Sequence, residues 1–185
     1  MALRRGFKSE ANAYAREFRE ELSLAHCDPL CPFQLAHHLE IPIVALNSFA
    51  NDEPGPCDYL RSNKGQKEFS EITICYGSER LIIYNDAHSP GRIASDIAHE
   101  LSHIILMHPP KEPFDSAGSR HYNAALEEEA NWLGPALLIS EEAALKIGKS
   151  GIPVPAAAKK YGVTRAVMTM RLNVLAVSRR LALAV

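Results

Sequence analysis

The sequence predicts a mixed α+β protein in which helices outnumber strands. Three observations predict it. Apolar residues recur at helical spacing near the N-terminus, around position 100 and after position 120. Two β-rich runs flank Gly77-Ser78 and read as a hairpin. A further short apolar run, Ile41 to Leu46, reads as a strand of its own. With 46% apolar and 23% charged residues, the usage is that of a globular chain, which excludes collagen-like and strongly disordered readings. At 185 residues the chain can bury a core without disulfide or metal staples.

The elements follow in order. From Ser9 to Leu24, Ala11, Tyr14, Ala15, Phe18 and Leu22 mark one face of a helix, with charges between them. Pro32 to Leu39 reads as a second short helix. After the strand at 41–46, residues 51–56 (NDEPGP) read as a turn-rich loop. The hairpin runs, FSEITICYG and RLIIYN, come next. Ser89 is placed to cap a helix whose first position is Pro90. That helix is expected to reach about His108 and stop at Pro109-Pro110. A polar loop, KEPFDSAGSR, leads to a helix from about Tyr122 to Leu138. Residues 140–148 form a short helix capped by Ser140. The tail from Pro153 reads as two helices separated by Gly162-Val163-Thr164.

Charge and cysteine content narrow the function classes. Twenty basic and 22 acidic side chains give a net charge of −2, which argues against wholesale phosphate binding. No apolar run approaches the ~18 residues of a membrane span. The two N-terminal arginines precede no apolar segment, so no signal peptide is expected and the cytoplasm is the expected compartment. Cys27, Cys31, Cys57 and Cys75 are expected as free thiols. Cys27 and Cys31 lack a second close pair, so no structural zinc is assigned to them.

The sharpest chemical feature is His99-Glu100-Leu101-Ser102-His103. On a helix, residues four apart share a face, so the imidazoles of His99 and His103 can hold one metal ion. Glu100 sits beside His99, within reach of a water at that ion. This is the HExxH arrangement of zinc hydrolases, with the glutamate as general base and then acid. Ile93, Ile97, Leu101, Ile104 and Ile105 give the helix a face for packing.

A catalytic zinc takes three protein ligands and keeps an open position. The following helix offers Glu127, Glu128 and Glu129. Glu127 shares a stripe with small Ala130 and Gly134, which would let this helix approach the first closely. Glu129 shares its stripe with bulky Trp132 and Leu133, which would hold helices apart. Glu127 is therefore the expected third ligand, Glu129 the alternative, and Glu128 is expected to face solvent. Asn131, one turn beyond Glu127, can orient a ligand from outside, and Asp96 is a second candidate for that role. His121 or Tyr122 can stabilise an oxyanion, though a surface pair at a helix start is the plainer reading. His88 and His108 read as surface or capping residues. By analogy with other zinc hydrolases of this kind, an edge strand, here Leu81 to Asn85, binds the substrate backbone by strand addition.

These residues resemble the ImmA/IrrE family of bacterial metallo-endopeptidases. The matching stretches are NDAHSPGRIASDIAHELSHIILMHPP and LEEEANWLGPALLIS, with weaker similarity over most of the rest. The resemblance independently places the third ligand at Glu127. Pro135 and Ser140 depart from the usual pattern, and a proline inside a helix removes a hydrogen bond and bends it. The resemblance implies a zincin-like domain, residues 1–150, with a three-stranded sheet beside its helices. It further implies a Zn2+-dependent endopeptidase that cleaves a helix-turn-helix transcriptional repressor, derepressing phage, mobile-element or stress genes.

Residues 151–185 form a C-terminal extension with helix-turn-helix spacing. Ala157, Val163, Val167, Met170, Leu172 and Leu175 are expected to pack, with Met168 and Met170 as core filler. Arg165, Thr169 and Arg171 can in principle face a DNA groove. The small net charge favours a hairpin that packs on the main domain. Arg179 and Arg180 read as a solvated tail. The rival functional reading is a DNA-binding or repressor-binding regulator without cleavage activity.

Overall fold

The computed structural model describes residues 3–109 and 123–183. Its elements are α1 (Phe7–Glu21), α2 (Pro32–His38), β1 (Ile43–Ala45), a 3-10 turn (Leu46–Phe49), α3 (Pro54–Arg61) and α4 (Gly65–Glu68). There follow β2 (Glu71–Tyr76), β3 (Glu79–Tyr84), α5 (Pro90–Ile105), α6 (Ala124–Leu138) and α7 (Glu141–Ser150). The chain ends in α8 (Val154–Lys160), α9 (Arg165–Val174) and α10 (Val177–Ala182). The fold is α+β with a three-stranded mixed sheet, as expected.

The strand order is β1-β3-β2. β1 runs parallel to β3, and β2 pairs antiparallel with β3, with Thr73 opposite Ile82. The hairpin turn is made by Gly77 at φ +57°, a conformation that costs a residue without Cβ nothing extra. β3 is therefore the central strand, and the expectation of an edge strand at 81–85 is corrected. β2, paired with β3 on one side, is an edge strand of the sheet, and its Thr73 meets Glu100 of α5.

One core joins the sheet to the long helices. Ile82 of β3, Ile97 and Leu101 of α5, Leu133 and Leu137 of α6, and Phe7 of α1 are fully buried together. The spacing Ile97–Leu101 and Leu133–Leu137 is one helical turn, which is why the two helices meet along a stripe. Gly134 sits at their crossing. A Cβ there would lie 3.2 Å from the Ala98 carbonyl oxygen, tighter than ordinary contact, so the glycine sets how closely the helices approach.

A second core holds the C-terminal helices. Ala98, Leu138 and Ile139 pack with Ala143 and Ile147 of α7, Ala157 and Tyr161 around α8, and Met168 of α9. The first turn of α5 touches the α8–α9 turn backbone, where a Cβ on Gly91 would come within 2.8 Å of the Val163 carbonyl carbon. Of the expected packing residues, Ala157 and Val163 are buried, but Met170 is exposed.

Two buried arginines tie the end of α6. Arg19 donates to the carbonyls of Leu137 (2.8 Å) and Leu138 (3.3 Å), and Arg171 donates from Nε to that of Ile139 (3.0 Å). The last carbonyls of a helix lack internal partners and carry its negative dipole end, so a buried cation suits them. Burial pushes both guanidiniums down to about 10, still charged at neutral pH. Arg171 is 1% exposed, so the expectation that it could face DNA is corrected, while Arg165 and Thr169 are exposed.

Other differences have local causes. Residues 54–61 are helical because Pro54 stands at a first helical position, where its missing N–H costs nothing. α6 runs through Pro135 to Leu138. The tail at Arg179-Arg180 is a helix whose Val177 is buried, and Arg180 pairs with Glu141. No helix among the described residues is long and apolar enough to cross a membrane.

Candidate metal centre

α5 begins with Ser89 and Pro90 at the two expected positions, though the Ser89 side chain makes no capping bond. The helix then carries His99, Glu100 and His103 on the face turned to α6 and β2. α6 begins at Asn123, whose side-chain oxygen accepts from the backbone of Ala125 at 3.1 Å. Glu127 lies in its first turn, where the helix dipole favours a negative charge.

The structure brings His99, His103 and Glu127 to one point. The two Nε2 atoms are 3.1 Å apart. Glu127 Oε2 is 3.2 Å from His99 Nε2 and 3.4 Å from His103 Nε2. Zinc with ligands at about 2.0–2.1 Å requires donors about 3.3–3.4 Å apart in a tetrahedron. The donor types and spacings fit such an ion, and this is the one such cluster among the described residues. Burial opposes protonation of His99, but the hydrogen bond it donates to Glu127 and the charges of Glu100, Glu127 and Glu71 outweigh it and raise its pKa. The local field attracts positive charge, as a cation site requires.

Glu100 is held from the sheet. Thr73 Oγ1 of β2 donates a short hydrogen bond to Glu100 Oε2. Sequence reasoning missed Thr73. Its signal was the alternation of the β2 segment, which places every second side chain on the face toward α5. A groove of about 1010 Å3, lined by none of the cluster residues, lies between the β2–β3 hairpin, residues 39–42, α1 and the last turn of α5. Ile74, Tyr76, Leu81, Ile104 and Ile105 line it.

The remaining candidates fall elsewhere. Glu129 is not one of the clustered donors; its carboxylate accepts from Arg4 Nε at 2.8 Å and lies 3.2 Å from His108 Nε2. Asn131 is exposed. His88 is buried with Nε2 3.3 Å from the Phe69 carbonyl, and His108 is half-buried with its side chain 6% exposed, so the surface reading of both is corrected, while the capping reading holds for His108, whose N–H donates to the His103 carbonyl. Burial pushes the His108 imidazole down, partly offset by Glu129. His121 and Tyr122 lie outside the described residues. The four cysteines are free thiols.

Asp96, one turn before His99, is an acid held at a cost. Its Oδ2 is buried, has no hydrogen-bond partner among the described residues and is 3.6 Å from Arg92 Nε. Burial raises its pKa, an effect that Arg92, His88 and His99 only partly offset. A carboxyl raised in the fold favours folding fully below its unfolded pKa of about 3.9 and loses that contribution as pH rises through the folded value. Asp96→Asn is therefore expected to raise Tm by a few degrees at pH 7. The gain should be gone at pH 3.5. Thermal scans in chelator at both pH values check this, and equal gains at both would refute the burial account.

The family Peptidase_M78, described as the IrrE N-terminal-like domain, matches residues 59–173, from α3 into α9. No curated protein matches the chain.

Proposed function

The chain belongs to the IrrE N-terminal-like family of peptidases, and from that premise we propose that it is a zinc-dependent endopeptidase whose metal ligands are His99, His103 and Glu127. The observation that carries this reading is the convergence of those three donors within 4.8 Å of one another, beside the Glu100 carboxylate. When bound, zinc supplies Lewis acidity for the scissile carbonyl and makes water acidic near neutral pH.

The protein's own groups do the rest. Glu100 takes a proton from the attacking water and later hands it to the departing amine, so the peptide yields one carboxylate and one amine. Thr73 fixes the Glu100 rotamer through its short hydrogen bond. The free edge of β2 pairs with an extended substrate backbone, presenting a carbonyl to the centre.

The substrate we assign is a helix-turn-helix transcriptional repressor, which supports a role in derepression within the cytoplasm. The non-cleaving regulator is the second reading. It retains no use for Glu100, since metal binding needs only the ligands, and the burial of Arg171 removes one of its DNA contacts. The test compares newly formed protein N-termini in cells expressing wild type or Glu100→Gln. The variant keeps the ligands and loses the base. A repressor fragment seen only with wild type is expected. Identical N-termini in both, with one zinc per chain, would favour the non-cleaving reading.

A further inference from the structure

The motif helix ends in a way that supplies one more residue to the centre. Leu106 caps α5, and Met107 follows in the left-handed region at φ +50°. The Met107 N–H donates to the Ile104 carbonyl and the His108 N–H donates to the His103 carbonyl, both at 2.9 Å. These are the two bonds of a Schellman stop. That stop usually brings an apolar pair together across its ends, from the third-last helical residue to the second beyond the cap. Here the pair is His103 and His108, and their Nδ1 atoms lie 2.8 Å apart. The other nitrogen of His108, Nε2, is 3.2 Å from Glu129 Oε2. The His108 side chain is 6% exposed and that of Glu129 14%, so both interactions are shielded from water.

The directions of these bonds follow from one fact. His103 turns Nε2 toward His99 and Glu127. A ring nitrogen that ligates carries no proton, so the proton of neutral His103 resides on Nδ1. Nδ1–H then donates to His108 Nδ1. His108 must carry its own proton on Nε2, and that N–H donates to Glu129. Glu129 is held in turn by Arg4. Each member leaves the next with one available role.

We propose that His108 and Glu129 are positioning residues, a chain that fixes the tautomer and ring plane of His103 for metal binding. This rests on the ligand assignment above. It also gives Glu129 a role distinct from that of Glu127, two residues earlier on the same helix. Groups that hold a ligating histidine from behind are worth about 10–100-fold in metal affinity.

The test is zinc affinity by competition with a chromophoric chelator, on the full chain. His108→Phe keeps the ring and removes both nitrogens, and is expected to bind zinc about 10–100-fold more weakly. His108→Gln offers an amide oxygen to His103 and an amide N–H to Glu129, and is expected to restore most of the affinity. At pH 8 without zinc, nitrogen-15 shifts of the His103 ring should show a larger share of the Nδ1–H form in wild type and His108→Gln than in His108→Phe. A purely structural role would leave that tautomer unchanged. Should His108→Phe not fold, Glu129→Leu breaks the outer link, and an affinity loss of about 10-fold is expected there. Wild-type affinity and tautomer in a folded His108→Phe, or wild-type affinity in Glu129→Leu, would overturn the chain while leaving the metal centre standing. A wild-type protein that binds no zinc would overturn the centre itself.

Discussion

Glu127→Ala is expected to weaken zinc binding by more than about 100-fold, beyond the range reached by loss of an outer partner. Peptidase activity should fall to background with it. Glu129→Ala, two residues along the same helix, is expected to cost only about 10-fold. The contrast is geometric. Glu127 Oε2 lies within 3.4 Å of both ligating nitrogens, so its loss leaves two imidazoles and a charge deficit at the centre. Among the described residues, the Glu129 carboxylate reaches His108 and Arg4. The two variants differ little in helix propensity or surface charge, so a general effect on folding would move both alike. Zinc affinity and the circular dichroism of both proteins, measured side by side, check the prediction. The reverse order, with Glu129→Ala the weaker binder, would reassign the third ligand.

How legible this centre was in the sequence differs from residue to residue. The spacing of His99 and His103 is a local property of a helix, and a local pattern can be read directly. Glu127 was reachable by a packing argument, because only a helix with Ala130 and Gly134 facing α5 brings its carboxylate close. Gly134 against the Ala98 carbonyl bears out that approach. Thr73 was not reachable in the same way, since its role depends on which strand stands at the sheet edge. The hairpin was legible, but the parallel pairing of β1 with β3 is a long-range choice that leaves β2 rather than β3 free. His108 was legible as a capping residue, and its N–H does donate to the His103 carbonyl, but its ring contact with His103 was not, because Pro109-Pro110 marks the end of the helical stretch while hiding the reversal before it. Nothing in Met107 signals a positive φ, which costs a residue with a Cβ about 1–2 kcal/mol. Arg19 and Arg171 look like ordinary surface cations until their partners, the carbonyls at the end of α6, are known.

That last point gives the second large effect. Arg171→Ala is expected to destabilise the fold by roughly 3–5 kcal/mol, combining a lost charged hydrogen bond with a cavity. The guanidinium is 1% exposed, donates to Ile139 and to Asn12 Oδ1 (3.2 Å), and stands 5.8 Å from the Trp132 ring centroid. Removing it leaves a buried carbonyl without a donor at the end of the helix that carries Glu127. Arg171→Met fills the space and drops a charge that burial already penalises, so its cost should be smaller, about 1–3 kcal/mol from the orphaned acceptor alone. Arg165 is exposed on the same helix, and Arg165→Ala should stay within about 0.5 kcal/mol of wild type. In a chain of this length about 2–4 °C of Tm corresponds to each kcal/mol. The alanine variant at 171 should therefore melt at least about 6 °C lower, and the one at 165 within about 2 °C of wild type. A helix-turn-helix that reads DNA with both arginines would give the opposite profile: stable proteins in each case, and salt-dependent DNA binding lost in both. Thermal scans of the three variants separate the two roles, because an arginine that supports the end of α6 is not free to face a groove.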